Sequence, residues 1–316
     1  WWPILFGISA IALALCFVPH IGIEVKGARR WLGFGMAQFQ PSEMAKLAAV
    51  VFLAWWFSRD ETDSASIRGG VLIPLSGMGI LMALIAFEVD VGCTVLLGAT
   101  AIAIMFVAGA KLRYLLPICG IGFIGVLVVA SKMPERYDRL MAFMNLEEHK
   151  LGAGLQQYQA CIAFGSGGVE GLGLGEGRQK MSYLPEAHTD FIFAMVGEEM
   201  GLRITLLVVF AYLIFVASGF AIALNARDRF GTLLGLGMVV VIALQAAINI
   251  GVVTAMLPNK GMSLPFISYG GSNLAFCFGC VGILVNIYRH GLTEKEVRHR
   301  GALPGRASQT CLAVKI

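Results

Sequence analysis

Five ionisable side chains fall within the sixteen residues Leu184–Glu199, LPEAHTDFIFAMVGEE: Glu186, His188, Asp190, Glu198 and Glu199. Carboxylates beside an imidazole suit proton transfer. In a chain that is 57% hydrophobic and 14% charged, where they sit matters as much as what they are. Asp190 opens an apolar helical run, where an acid can cap the helix or serve a site at a membrane cavity. Glu186 and His188 stand beside it as supports. Glu198 and Glu199 lie about 12–13 Å further along at 1.5 Å per residue. With Arg203 four residues beyond Glu199 as a partner, that pair reads as structural, gluing helices together.

Other stretches offer chemistry to the same place. GSGGVEGLGLGEG carries seven glycines between Gly165 and Gly177. It lacks the GK[ST] ending of a P-loop and the GxGxxG spacing of a dinucleotide fold. Its amides could meet phosphate oxygens, and re-entrant packing explains it equally well. Arg178 and Lys180 follow directly, which suits a diphosphate. LPNKGMSLPFISYGGS (257–272) contributes Lys260 and several hydroxyls. In GARRWLGFGMAQFQPSEMAK (27–46), Trp31 beside Arg29 and Arg30 is an interfacial anchor or part of a site for an anionic lipid headgroup. Glu43 and Lys46, three apart on one helix face, read as a structural, mutually neutralising pair at the membrane edge, with a substrate role as the alternative. Glu88 and Asp90 sit in a short turn and read as solvated carboxylates, or as facing the cavity of Asp190. Cys277 and Cys280 form a CxxC inside an apolar run with no second pair, so buried small residues are the better reading than metal or redox chemistry.

These residues need elements to position them. Apolar segments fall near 1–19, 42–57, 70–87, 93–110, 114–131, 190–223, 232–256 and 273–288, each long enough or nearly so to cross ~30 Å of hydrocarbon. With a mean hydropathy of +0.76, the chain reads as an all-α polytopic membrane protein of about eight transmembrane helices, a single membrane domain over 1–316. One large extracytoplasmic loop occupies 132–189, in which Leu155–Phe164 forms a short amphipathic helix, and a cytoplasmic tail occupies 290–316. Loops 58–69, 111–113 and 224–231 and that tail each carry basic residues, whereas the two shortest loops of the opposite side, 88–92 and 257–272, carry only Lys260 between them, so the positive-inside rule places the first set in the cytoplasm and Asp190 outside. The net charge of +4 is accounted for by those loops and does not call for nucleic acid. The chain begins on Trp1 with no basic region before Pro3–Val18, which argues against a signal peptide and for a chain shortened at its start.

Three long motifs, GARRWLGFGMAQFQPSEMAKLA (27–48), GSGGVEGLGLGEGRQKMSYLPEAHTDFIFAMVGEEMG (165–201) and MLPNKGMSLPFISYGGSN (256–273), resemble the SEDS family of shape, elongation, division and sporulation membrane proteins. The resemblance runs in order over nearly the whole chain. Lys180 and Lys260 are more similar to the family's division branch than to its elongation branch. The resemblance implies a peptidoglycan glycosyltransferase that polymerises lipid II at the outer face of the bacterial cytoplasmic membrane, at the division septum. It also implies a class B penicillin-binding protein and other division-complex membrane proteins as partners. The family's essential aspartate matches Asp190, and Trp31 with the GARRW loop matches a region bordering the substrate cavity. The family has ten helices, so two are unaccounted for. Its EPDxGT turn is here Glu88-Val89-Asp90-Val91-Gly92-Cys93, without the proline and the threonine, and its SYGGSS ends in Asn273.

The implied reaction needs a base for the attacking hydroxyl and positive charge for the departing diphosphate. Asp190 is the candidate base. Arg29, Arg30, Arg178, Lys180 and Lys260 are the candidate cations. A divalent cation, Mg or Mn, could share the second task, although no ligand cluster of diagnostic spacing marks a metal site. Two other classes fit the same pattern: a lipid II flippase, and a non-catalytic scaffold that recruits the penicillin-binding protein.

Overall fold

The computed structural model describes residues 1–25, 28–34, 37–179 and 184–301, so Lys180 lies outside the described residues. In chain order the elements are α1 (Trp2–Leu15), β1 (Gly22–Val25), β2 (Ala28–Phe34), β3 (Ala37–Phe39), α2 (Pro41–Ser58), a π-helical turn (Arg68–Leu72) leading into α3 (Ile73–Phe87), α4 (Val91–Val107), α5 (Leu112–Lys132), α6 (Pro134–Met144), α7 (Leu155–Gly167), α8 (Ile192–Leu224), α9 (Arg229–Val253) and α10 (Gly271–Gly301).

All eight apolar segments fold as helices. Five spans, Arg68–Phe87, Leu112–Val129, Ile192–Leu224, Arg229–Val253 and Gly271–Gly291, are long and apolar enough to cross a membrane, and α1 and α4 are shorter apolar helices. Backbone polar groups have no water to bond with in hydrocarbon, so helices are the available solution. The chain is a polytopic helical membrane protein. Local sequence explains the helix starts: Pro41 at the head of α2 lacks the N–H that would be orphaned there, and Asp90 and Asp228 accept from Cys93 N and Gly231 N to cap α4 and α9.

Helix α9 is the hub, packing against α2, α4 and α8. Small residues permit the approach: a Cβ on Gly237 would overlap Val50, and one on Gly219 would overlap Val239. Three features differ from the sequence reading. Gly22–Val25, Ala28–Phe34 and Ala37–Phe39, where the sequence indicated no strands, pair as a three-stranded antiparallel sheet in the order β1-β2-β3. The long loop gains α6 besides the expected α7. The expected tail from 290 continues α10 to Gly301.

Glu43 and Lys46 meet at 2.8 Å, but not at a solvated edge, because α2 buries that face against α9 and α10. Lys46 is 1% exposed, donates to Gln245 Oε1 at 2.7 Å and lies over the Phe276 ring. Gln245 passes the polarity on, donating to the Ser263 carbonyl and Asn273 Oδ1. Lys46→Met, which strands Glu43 in the core, is expected to cost about 3–5 kcal/mol. The thermal midpoint in detergent should fall accordingly, and Glu43→Gln/Lys46→Met should recover much of the loss.

The connections sort onto two faces. Arg229 on one side reaches Ser64 Oγ at 3.2 Å and the Ala108 carbonyl at 2.8 Å, tying the connections before α3, α5 and α9. On the other side, Ser272 bonds the backbone of Gln38 and Gln40, and Arg136 and Arg30 reach the α3–α4 turn. This second face carries Asp190.

Candidate active site

Asp190 does not cap α8, whose N-cap is Phe191 with no side-chain bond. It instead ends a turn that Glu186 closes from within and two segments, α9 and the 257–270 loop, hold from outside. Glu186, at φ 60°, accepts the Thr189 and Phe191 amides on its carbonyl and the Thr189 hydroxyl on Oε2 at 2.9 Å. Ser268 Oγ donates to the Thr189 carbonyl, and the Tyr269 amide donates to the His188 carbonyl at 3.1 Å. Asn249, buried in α9, donates to the carbonyls of both Asp190 (2.8 Å) and Met262. The 257–270 loop is thereby locked to the aspartate, and the carboxylate lies directly against Gly261, where a Cβ would overlap Oδ2. Glu186 is thus part of the turn that positions Asp190, while the His188 side chain is exposed.

The glycine-rich run is spent on the protein itself. Gly201 has φ 74° and ψ −175° and breaks α8 into two helices. The opened backbone receives the loop: Leu172 N and Gly173 N donate to the Glu198 and Glu199 carbonyls, and Leu202 N donates to the Gly168 carbonyl. Crossing backbones this close exclude a side chain, since a Cβ on Gly171 would overlap Glu199 O, and one on Gly201 would overlap Gly171 N. Glu198, 1% exposed, accepts the Arg178 and Gln179 amides at 2.8–3.3 Å, and Glu199 accepts the Gly175 amide at 3.0 Å. These amides are not poised for phosphate. Glu198 and Glu199 are not interhelical glue either; they fasten the loop to the short helical piece before the kink. Residues 202–224 alone suffice to cross the hydrocarbon at ~1.5 Å per residue. Arg203 pairs with Glu170 at 3.2 Å, not with Glu199.

The expected cations part company. Successive residues of a strand face opposite sides, so Arg29 pairs with Glu24 across β1 at 3.2 Å. Arg30 turns the other way, donating to the Glu88 and Val89 carbonyls at 3.2 and 2.9 Å. Trp31 is half-buried opposite Ile23. Lys260 Nζ stands 3.9 Å from Asp90 Oδ1, its methylenes filling the space over Gly92. Arg178 is exposed, its amide held by Glu198. Glu88 and Asp90 are buried, at 2% and 5% exposure, not solvated. Asp90 caps α4 through Oδ1, the same oxygen that faces Lys260. Glu88 has the Cys16 thiol as its polar neighbour, and burial pushes that carboxyl up to about 8, with Cys16 and Arg30 opposing and Asp90 reinforcing. Burial pulls the Lys260 ammonium down to about 8, with Asp90 and Cys93 opposing and Arg30 and Arg136 reinforcing. Arg136 was not foreseen. It donates to the Val89 carbonyl at 3.0 Å, and nothing in PERYDR distinguishes it from an ordinary surface charge.

A cavity of ≈ 610 Å³ opens on the opposite face, lined in part by Arg227, Phe230, Asn286 and His290. It shares no residue with the Asp190 cluster. The chemistry favours the Asp190 face, where a turn held by α9 and the 257–270 loop sets the carboxylate against Gly261, next to Lys260, at the end of the bundle that also holds Arg30.

The fold and this face define a multi-span membrane protein with a fixed acid beside a cationic group at one end of the bundle. The chain belongs to the cell cycle protein family FtsW/RodA/SpoVE, whose family model matches residues 1–292. It is 40% identical over 285 residues to the "Probable peptidoglycan glycosyltransferase FtsW" of Geobacter metallireducens, covering 90% of this chain and 76% of that protein. To the "Stage V sporulation protein E" of Bacillus subtilis it is 38% identical, covering 92% and 79%. Among solved structures it is similar to a chain described under structural coordination of polymerization and crosslinking by a peptidoglycan synthase complex (TM-score 0.76, 25% identity, 92% and 81% covered). The Rod shape determining protein RodA of Thermus thermophilus is also similar (TM-score 0.65, 26% identity, 90% and 76% covered).

Proposed function

We propose that the chain is a peptidoglycan glycosyltransferase that polymerises lipid II at the outer face of the bacterial cytoplasmic membrane during septal wall synthesis. The names of its relatives support the reaction class. The observation that carries the assignment of a residue is the turn at Asp190, which Glu186 closes from within and α9 and the 257–270 loop hold from outside. In the reaction the 4-hydroxyl of one sugar attacks the anomeric carbon of another. The new C–O bond forms as the bond to the diphosphate breaks, and the leaving group keeps the electron pair. The hydroxyl proton passes to Asp190 as general base, and cations of the same face stabilise the departing charge. Fixing the carboxylate beforehand removes an entropic part of the barrier.

Among the described residues no three His, Cys, Asp or Glu side chains gather; a Mg or Mn ion, which binds through one or two carboxylates and substrate phosphates, would rely on Asp190 and the diphosphate and would help neutralise the departing charge. A class B penicillin-binding protein, together with other division-complex membrane proteins, fits as partner because a growing strand must be crosslinked.

Purified protein in liposomes with labelled lipid II tests this. Glycan strands support the assignment; leaflet exchange alone would make the chain a flippase, and neither activity would leave a scaffold. Gly261→Ala sharpens it, because the added methyl displaces the Asp190 carboxylate without removing it. Turnover should fall roughly 10–100-fold, the scale of a misplaced catalytic group, while the thermal midpoint changes little.

A further inference from the structure

Three cations converge on the α3–α4 turn from elements far apart in sequence. Arg30 Nη2 comes from β2 and Arg136 Nη2 from α6, and both lie within 3.0 Å of the Val89 carbonyl oxygen. The two guanidinium groups are therefore within about 6 Å of each other, where like charges repel appreciably at any protein dielectric. Lys260 arrives from the 257–270 loop and feels both arginines. Arg139 adds a fourth positive charge within range of Arg136.

Bracing one carbonyl needs one donor. Each arginine has five, and Arg30 and Arg136 spend two and one on backbone oxygens. Among the described residues the acidic groups facing the cluster are Asp90, which caps α4 and stands 3.9 Å from Lys260 Nζ, Glu135 beside Arg136, and Glu88, whose burial favours the neutral acid. Positive charge is in excess. Val89 itself sits at φ 65°, an unfavourable conformation for a β-branched residue and one that proline could not adopt. The turn is held in a costly shape that presents its carbonyl to both arginines.

We propose that Arg30, Arg136 and Lys260 form a binding subsite for a diphosphate, the anion that carries the leaving charge in the reaction proposed above. The inference rests on that reading for its role but not for its chemistry, because a cluster of this kind takes a polyanion whether or not glycan is made. Guanidinium forks match phosphate oxygens in pairs, and the ammonium adds a point charge. Arg29, turned toward Glu24, takes no part. Arg136 becomes a substrate-binding residue of the long loop.

The test uses the full chain in nanodiscs, titrated with inorganic pyrophosphate, with undecaprenyl diphosphate, and with phosphatidylglycerol as a singly charged control. Both diphosphates should bind, the lipid-linked one tighter, and phosphatidylglycerol should not compete. Arg136→Gln should weaken diphosphate binding about tenfold or more and Arg136→Lys by less, with Arg59→Gln, beside Glu61 on the opposite face, within twofold of the parent. Affinity should fall as pH rises through about 8, where Lys260 loses its proton in the field of Asp90, Cys93, Arg30 and Arg136 and Glu88 becomes an anion beside Cys16, Asp90 and Arg30; Lys260→Arg should shrink that fall to the part Glu88 carries. Pyrophosphate failing to bind while the lipid does would assign the site to the lipid-linked form. Binding indifferent to Arg136→Gln, or phosphatidylglycerol competing equally, overturns the subsite. Binding that persists in a protein making no glycan overturns the proposed reaction and leaves the subsite standing.

Discussion

Asp190→Asn in the full chain is expected to reduce lipid II polymerisation by about 10²–10⁴-fold, the range spanned by loss of a general base. The amide keeps the size and shape of the carboxylate, so the packing against Gly261 survives. The bonds made by the Asp190 carbonyl and its neighbours to Asn249 and Ser268 are untouched by the change. A chain-length assay on labelled lipid II, run beside thermal unfolding, separates chemistry from folding. An unchanged midpoint with lost turnover supports the base. Retained turnover in a normally folded variant removes Asp190 from the mechanism, and the proton would then need another acceptor on this face.

The second large effect is structural. Gly201→Ala is expected to unseat the loop before the active turn. A backbone at φ 74° and ψ −175° is nearly a glycine preserve and costs any other residue about 1–3 kcal/mol. The added carbon would also overlap Gly171 N, forcing apart the two backbones whose amides and carbonyls satisfy one another there. Unpaired buried amides would add to the loss. Limited proteolysis should report it first, as new cleavage within 168–179, with a lower thermal midpoint. A variant that resists protease like the parent would mean the crossing does not hold the loop.

Much of this protein was legible from its residues. Hydrocarbon leaves the backbone so few choices that a run of apolar residues nearly specifies a spanning helix, and the eight runs became eight helices. Asp190 stood out because an acid at a helix start in so apolar a chain needs a reason. The π-helical turn, the small sheet of β1, β2 and β3, and α6 carried no comparable signal. Short strands and amphipathic turns depend on what they pack against, and the sequence does not name the partner.

Side-chain roles divided along the same line. Lys46 and Glu43, three apart on one helix, had to be neighbours, because helix geometry alone brings them together; their burial under Gln245 and Phe276 was a matter of how α2 meets α9 and α10. Glu198 and Glu199 looked like partners for other helices until Gly201 turned the chain and the glycine loop took their carboxylates. Arg136 lies 47 residues from the carbonyl it shares with Arg30, which comes from 59 residues on the other side. The sequence by itself determined the membrane-spanning helices and the one aspartate worth betting on, since local periodicity and the cost of charge in lipid act on each segment separately. Which cations stand together, and which amides remain for a ligand, was decided only when distant segments met, because both depend on contacts that no single stretch contains.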